Sequence, residues 1–166
     1  MAQKTSSEQV EKLAKLIKDI QFAMLTTAMP DGSLRSRPMA TQRAPFDGTL
    51  WFFTPADSAK VHEIEDDQHV NVSYADPSRN NYVSVSGRAS VVRDEAKAKA
   101  LWSESLRTWF PKGSDDPAIA LPKVTVDAAE YWDAPSSAMV HLYGYAKAVT
   151  TGKRPRGGEN EKVKVR

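Results

Sequence analysis

The sequence contains no cysteine among its 166 residues. This absence excludes disulfides, thiolate catalysis, zinc–thiolate sites and iron–sulfur clusters. The three histidines, His62, His69 and His141, are scattered without a metal-binding spacing, so we expect no metal site. No apolar run approaches the roughly 18 residues of a membrane span, and the first residues lack the apolar core of a signal peptide. We therefore expect a cytoplasmic protein with no membrane partner.

The sequence also has little excess of charge of either sign outside the end of the chain. Lysine and arginine number 23 against 21 acidic residues, and much of this small excess lies in the segment 153–166. The rest of the chain is close to neutral, and the basic segment carries no aromatic residue for base stacking, so we expect no nucleic-acid partner. The length favours a single domain over residues 1–152, followed by the basic tail 153–166. Gly152 to Glu161 has the composition of a flexible linker.

Short apolar and alternating segments, separated by turn residues, predict a mainly β protein with peripheral helices. The predicted strands are 22–28, 34–43, 49–54, 69–74, 82–92 and 124–132, with a short terminal strand at 162–165. The predicted helices are 7–20, 55–67, 94–110 and 136–149, and 111–122 is predicted as a loop. Six or seven antiparallel strands with three or four helices, in place of alternating βαβ units, favour a small β-barrel.

Three residues carry more specific predictions about these elements. Pro38 lies inside a predicted strand, which indicates an edge position, a bulge or a site where no N–H is needed. Gly87 interrupts an alternating strand and indicates a bulge or bend. Asp94 precedes a helical pattern and is the expected N-cap.

Phosphate-binding groups are concentrated between Arg35 and Lys60. Arg35 and Arg37 lie on one strand, Thr54 ends another, and Ser58 and Lys60 open a helix. The first turn of a helix offers free N–H groups and the positive end of its dipole, hydroxyls donate to phosphate oxygens, and arginine binds phosphate bidentately.

The same residues also fit a purely structural interpretation. Strand arginines are often solvated, a Ser or Asp before a helix is often only an N-cap, and a helix lysine is often a surface residue. Residue types alone therefore leave both interpretations open.

The order of the motifs along the chain adds information. R-S-R-P-M at 35–39, W-F-F-T at 51–54 and S-x-K at 58–60 are followed by V-N-V-S-Y at 70–74 and Y-V-S-V-S-G at 82–87. Later segments continue the pattern, namely W-F-P-x-G at 109–113, E-Y-W-D at 130–133 and the closing G-K-R-P…E-N-E-K-V stretch. This ordered set resembles the pyridoxamine 5′-phosphate oxidase-like FMN-binding split barrels, and within them the bacterial general stress protein 26 group. The resemblance runs from Val10 to Val165.

The resemblance implies an antiparallel split β-barrel that forms a homodimer with FMN at the interface. The residues that it would place along the isoalloxazine are Arg37, Pro38, Met39 and Ala40, with Arg37 also available to the phosphate. Those that would line the ribityl chain and the phosphate are Phe52, Phe53, Thr54, Ser58 and Lys60. Trp109 and Phe110 would reach the flavin of the partner subunit, with packing inside their own chain as the alternative.

One departure from the family pattern limits the expected activity. True pyridoxamine 5′-phosphate oxidases end with Trp and Arg residues that hold FMN and the substrate phosphate, whereas this chain ends in a lysine-rich tail without Trp. Vitamin B6 oxidation is therefore not expected. The resemblance implies a flavin-dependent oxidoreductase with a reduced nicotinamide as a possible donor and no identified catalytic base. The alternatives are a non-catalytic flavin-binding stress module and a reductase that uses the deazaflavin F420 on the same barrel.

Overall fold

The computed structural model describes residues 6–42, 44–134, 138–153 and 158–165. Within these residues, eight strands form one antiparallel sheet with four α-helices around it, which confirms the predicted mainly β fold. The strands are β1 (Phe22–Ala28), β2 (Leu34–Ala40), β3 (Thr49–Trp51), β4 (Thr54–Pro55), β5 (His69–Asp76), β6 (Asn81–Val92), β7 (Ile119–Asp133) and β8 (Glu159–Lys164). The helices are α1 (Ser6–Ile17), α2 (Ala59–Asp66), α3 (Glu95–Leu101) and α4 (Ala138–Thr151).

The longest strand, β7, organises the sheet. The strands follow the order β2-β1-β5-β6-β7-β3, and β4 and β8 also pair with β7. One side of β7 pairs with β6 from Leu121 to Asp133, while the other side pairs in turn with β4, β3 and β8. Because β2 is an end of this order, Pro38 lies on an edge strand as predicted.

Gly87 marks an irregularity between β6 and β7, as predicted. Ser86 pairs with Ala128 and Gly87 with Val126, so β7 carries one extra residue, Asp127, at this point. A Cβ atom at Gly87 would lie 2.3 Å from the carbonyl oxygen of Thr125. Only glycine therefore allows the two backbones to approach this closely.

Two apolar clusters form the core. The larger fills the space between the sheet and α1, with Leu13, Leu25, Val72 and Tyr131 almost fully buried. The smaller lies under α3 and includes Phe53, Leu106, Phe110, Ile119 and Leu121. α2 buries Val61 and Ile64, and Ile64 belongs to the larger cluster.

The predicted helix 94–110 is wrong in its second half. Asp94 caps α3 as predicted, since its side chain accepts a hydrogen bond from the Lys97 N–H at 2.9 Å. The helix ends at Leu101 because Trp102 and Ser103 adopt extended backbone angles. Trp102 packs its ring edge against Phe53, and the chain then forms a short 3-10 helix, Glu104–Thr108. Trp102 thus packs, partly buried, against the smaller cluster where the helix was predicted to continue.

Other boundaries also differ from the predictions. Residues 119–122, predicted as loop, form the start of β7. The predicted strand 49–54 is interrupted at Phe52 and Phe53, which separate β3 from β4. Residues 159–161, predicted as part of a flexible linker, belong to β8. β2 ends at Ala40 and α1 at Ile17, each three residues before its predicted end, and α2 begins at Ala59, four residues after its predicted start. The predicted helix start at Ser136 lies outside the described residues. No helix within the described ranges is long and apolar enough to cross a membrane.

Candidate anion-binding site

The residues predicted to bind phosphate converge where β4 leads into α2 and where β1 and β2 pass beside that helix. Thr54 is held in place by pairing with Ala120 of β7. Four residues later, Ser58 is the N-cap residue of α2, and Lys60 lies in the first turn of this helix. The strand pairing and the tight connection therefore bring Thr54, Ser58 and Lys60 to one point.

A chain of hydrogen bonds joins these three side chains. The Lys60 Nζ donates to the Thr54 Oγ1 at 2.9 Å, and the hydroxyls of Thr54 and Ser58 lie 3.0 Å apart. Ser58 makes no side-chain hydrogen bond to its own helix, although it is the N-cap. The first N–H groups of α2 therefore receive no side-chain acceptor from Ser58, which leaves a helix N-terminus suited to an anion.

A buried carboxylate lies next to this chain. The Thr27 hydroxyl donates to the Glu63 Oε2 at 2.6 Å, and Arg37 donates to both the Thr27 Oγ1, at 2.7 Å, and the Glu63 Oε2. Arg35 approaches the other carboxylate oxygen, Oε1, at 3.6 Å. The side chain of Glu63 is only 6% exposed and that of Arg37 13% exposed, whereas Arg35 is mostly in solvent. We call Thr54, Ser58, Lys60, Arg35, Arg37, Glu63 and Thr27 the cradle.

Positive charge dominates the cradle. Burial and the charge of Arg37 lower the pKa of Lys60, and the carboxylate of Glu63 offsets only part of this. Burial raises the pKa of Glu63, but hydrogen bonds from Thr27 and Arg37 and the two arginine charges bring it below its ordinary value. Glu63 is therefore ionised at neutral pH and faces three cations. A dianion such as phosphate complements the excess, and its binding would raise the pKa of Lys60.

Other predicted residues lie along the two segments that reach the cradle. Pro38 is exposed, Met39 is buried in the larger cluster and Ala40 is half-buried at the end of β2. Phe52 is 1% exposed in the larger cluster, and Phe53 is buried in the smaller one. For these buried residues, the backbone is the part available to a ligand, and their place along a flavin stays a prediction.

Trp109 and Phe110 differ in burial: one is exposed and the other lies in the core. Phe110 is 3% exposed, and its ring centroid lies 6.2 Å from that of Phe53. Trp109 is 57% exposed, so its side chain is available to a ligand or to a second chain. Contact of these residues with a partner's flavin stays a prediction.

Sequence reasoning missed Glu63 and Thr27. Glu63 lies between Val61 and Ile64 on the inner side of α2, so its acidic side chain was a signal for a buried ion pair. Thr27 alternates with the buried residues Ala23 and Leu25 along β1, which places its hydroxyl on the inner face.

Comparisons with known proteins agree with this fold. Residues 8–156 match the family model described as pyridoxamine 5′-phosphate oxidase like. The protein bli-3 of Neurospora crassa is 28% identical over 156 residues, which cover 88% of this chain and 75% of bli-3. A candidate general stress protein 26 from Jannaschia sp. CCS1 superposes with a TM-score of 0.77 at 23% identity, covering 95% of this chain and 99% of that one.

A further structural relative has a flavin in its name. The general stress FMN/FAD binding protein of Xanthomonas citri superposes with a TM-score of 0.68 at 28% identity, covering 79% of this chain and 92% of that one. The family model spans most of the chain, and these solved structures share its antiparallel sheet. This chain therefore belongs to the pyridoxamine 5′-phosphate oxidase-like family, as its ordered motifs indicated.

Proposed function

We propose that this protein binds FMN and holds the FMN phosphate in the cradle. The observation that carries the proposal is the convergence of three cations and two hydroxyls, with one buried carboxylate, on the N-terminus of α2. Such a site has more positive charge than its own residues neutralise, and hydroxyl and guanidinium donors match phosphate oxygens. When bound, FMN would supply hydride and electron transfer.

The name of the Xanthomonas citri relative supports a flavin as the ligand. From the cradle, β2 runs through Arg37 to Ala40, and the chain between β3 and β4 contains Phe52 and Phe53. We propose that the ribityl chain and the isoalloxazine follow these segments, as the family resemblance implies. Arg37, Thr54, Ser58 and Lys60 would orient the phosphate.

Replacing both Arg37 and Lys60 by alanine should weaken FMN binding selectively. Each charged hydrogen bond to phosphate contributes about 1.5–3 kcal/mol, so the double variant should lose several kcal/mol of FMN affinity at most. Riboflavin lacks the phosphate, so its affinity should stay the same, and the measurement is titration of flavin fluorescence with both ligands. Arg93→Ala with Lys112→Ala, two exposed cations elsewhere, is the matched control. Unchanged FMN affinity in the cradle variant would show that the phosphate binds elsewhere.

The variant Glu63→Gln distinguishes two effects of Glu63 on FMN binding: its negative charge and its role in positioning Arg37. Removing a negative charge would by itself tighten FMN binding. Because Glu63 holds Arg37 in place, we expect weaker FMN binding, by about 1.5–3 kcal/mol, the value of one charged hydrogen bond. The measurement is again titration of flavin fluorescence with FMN and with riboflavin, and the riboflavin affinity should not change.

Glu65→Gln is the matched control, since Glu65 is exposed on the same helix and loses the same charge. Tighter FMN binding by Glu63→Gln, with no change in Glu65→Gln, would contradict the positioning role.

We also propose that the protein is a homodimer with FMN at the interface. Large apolar side chains project from the outer face of the sheet. Tyr82 and Trp132 pair directly across β6 and β7 and are 40% and 42% exposed. Phe22, at the start of β1, is 55% exposed. Clustered exposed aromatics of this kind are typical of a protein–protein contact.

Tyr82→Glu should shift the protein towards a monomer, since a charge buried in an apolar contact is costly. Light scattering with size-exclusion chromatography should give about twice the 18.3 kDa chain mass for the wild type and the single mass for the variant. Ser90→Glu, exposed on the same strand and about 26 Å along it at 3.3 Å per residue, is the control. A wild type that is monomeric at all concentrations would refute the dimer.

For activity, we propose electron transfer from a reduced nicotinamide to an acceptor that is not yet identified. The FMN-loaded protein should lose its visible flavin absorbance anaerobically after addition of NADH or NADPH, with photoreduction as the positive control. Photoreduction without reduction by either nicotinamide would favour a non-catalytic flavin-binding module. Competition between FMN and F420 distinguishes the third alternative, because the cradle donors suit the phosphate of either ligand.

A further inference from the structure

One oxygen of the Glu63 carboxylate is buried without a hydrogen bond from the described part of the chain. The Oε2 atom accepts hydrogen bonds from Thr27 and Arg37, whereas Oε1 is the unpaired atom. A guanidinium nitrogen of Arg35 lies 3.6 Å from Oε1, which is beyond the ordinary hydrogen-bond range. Buried acceptors nearly always have a donor, so this one needs an explanation. We call Oε1 of Glu63 the unpaired acceptor.

The unpaired acceptor belongs to the charged part of the cradle. Lys60 and Glu63 are three residues apart on α2, so their side chains lie on the same face of the helix. Burial lowers the pKa of Lys60, and the charges of Glu63 and of both arginines act on it as well. The four charged groups therefore share one region, and a phosphate bound to the three cations would lie close to Glu63.

Arg35 is the part of this region that faces solvent. Its side chain is 58% exposed, while that of Glu63 is 6% exposed. Exposed side chains change rotamer within nanoseconds, so a ligand group can take the place of the Arg35 guanidinium beside Oε1. Because a guanidinium carries five N–H donors, Arg35 can then bind the phosphate itself. A ligand can thus reach the unpaired acceptor without any change in the sheet or in α2.

The charge of the cradle decides which kind of donor suits the unpaired acceptor. Three cations face one carboxylate, which leaves an excess of two positive charges. A phosphate monoester neutralises this excess as a dianion, and its phosphate group then carries no hydrogen. A cationic donor would restore an excess of positive charge. The donor that fits is therefore a neutral hydroxyl on the carbon chain of the same ligand.

We propose that the cradle selects phosphate monoesters whose carbon chain carries a hydroxyl near the phosphate, and that Glu63 accepts a hydrogen bond from this hydroxyl through Oε1. Glu63 then determines specificity in addition to positioning Arg37. This inference rests on the proposed phosphate site. The ribityl chain of FMN belongs to this class of ligand, and the class extends to polyol phosphates that carry no flavin.

Two small phosphate esters test the inference by isothermal titration calorimetry on the full chain without flavin. Glycerol 3-phosphate carries a hydroxyl on the carbon next to the one that bears the phosphate. Propyl phosphate has the same chain length and charge but no hydroxyl. We expect glycerol 3-phosphate to bind about ten-fold or more tightly than propyl phosphate, the effect of one hydrogen bond to a charged group. Equal affinities of the two esters would overturn the inference.

The variant Glu63→Gln tests whether Glu63 provides this preference. A misplaced Arg37 would weaken both esters equally and leave the ratio of their affinities unchanged. Loss of the hydroxyl contact lowers the ratio, because the amide is neutral and its one oxygen cannot serve both Arg37 and the ligand. We expect the ratio to fall about five-fold or more, as a charged acceptor becomes a neutral one. An unchanged ratio would limit Glu63 to positioning and overturn the inference.

Two further variants serve as controls for the ratio of affinities. Glu65→Gln removes the same charge from an exposed position on the same helix and should keep the ratio. Arg35→Ala removes a cation from the cradle, so it should weaken both esters and also keep the ratio. A ratio that is lost in Arg35→Ala but kept in Glu63→Gln would assign the hydroxyl to Arg35 and contradict the role of Glu63.

Titration with FMN and riboflavin distinguishes failure of this inference from failure of the proposed function. Preference for glycerol 3-phosphate in a protein that does not bind FMN would support the inference and refute the flavin proposal. Equal affinities of the two esters, in a protein that binds FMN more tightly than riboflavin, would overturn the inference alone. No binding of either ester would overturn the phosphate site and the inference with it.

Discussion

The buried carboxylate of Glu63 joins the fold to the candidate site. It accepts hydrogen bonds from Thr27 of β1 and Arg37 of β2, and it belongs to α2, so one side chain connects three elements. Leaving a buried charge without its partner costs about 3–5 kcal/mol, so the ion pair constrains where α2 packs against the two strands. The same pairing holds Arg37 beside the first turn of α2. The packing of α2 and the geometry of the candidate anion-binding site thus depend on one network.

The long strand β7 gives the cradle its other support. Thr54 has its position because β4 pairs with Ile119 and Ala120, at the start of β7. The later part of β7 pairs with β3 and then with β8, and the extra residue Asp127, opposite the step from Ser86 to Gly87, shifts the register against β6. The cradle therefore depends on a strand whose first residues look like loop in the sequence. A change in the pairing of the first residues of β7 would therefore move Thr54.

Sequence reasoning succeeded where a local pattern carries the information. Alternation predicted β5 and β6, the glycine at 87 predicted the irregularity, and Asp94 predicted the start of α3. It failed where a distant contact overrides local preference. The helix after Asp94 ends early because Trp102 packs on Phe53, and neither residue identifies the other along the chain. Residues 119–122 form strand because they pair with two distant strands, β4 and β6, despite the turn-like composition before them.

The sequence by itself determined the class of fold, the family and the set of candidate phosphate donors, because strand periodicity, turn residues and motif order are all local or sequential properties. Only the tertiary structure decided how those donors combine. It shows that Lys60 and Ser58 meet at Thr54, that Glu63 holds Arg37, and that Phe110 fills the smaller core cluster while Trp109 faces solvent. The physical reason is that these contacts join residues from separate strands and helices, and their distances are set by how the sheet pairs and closes.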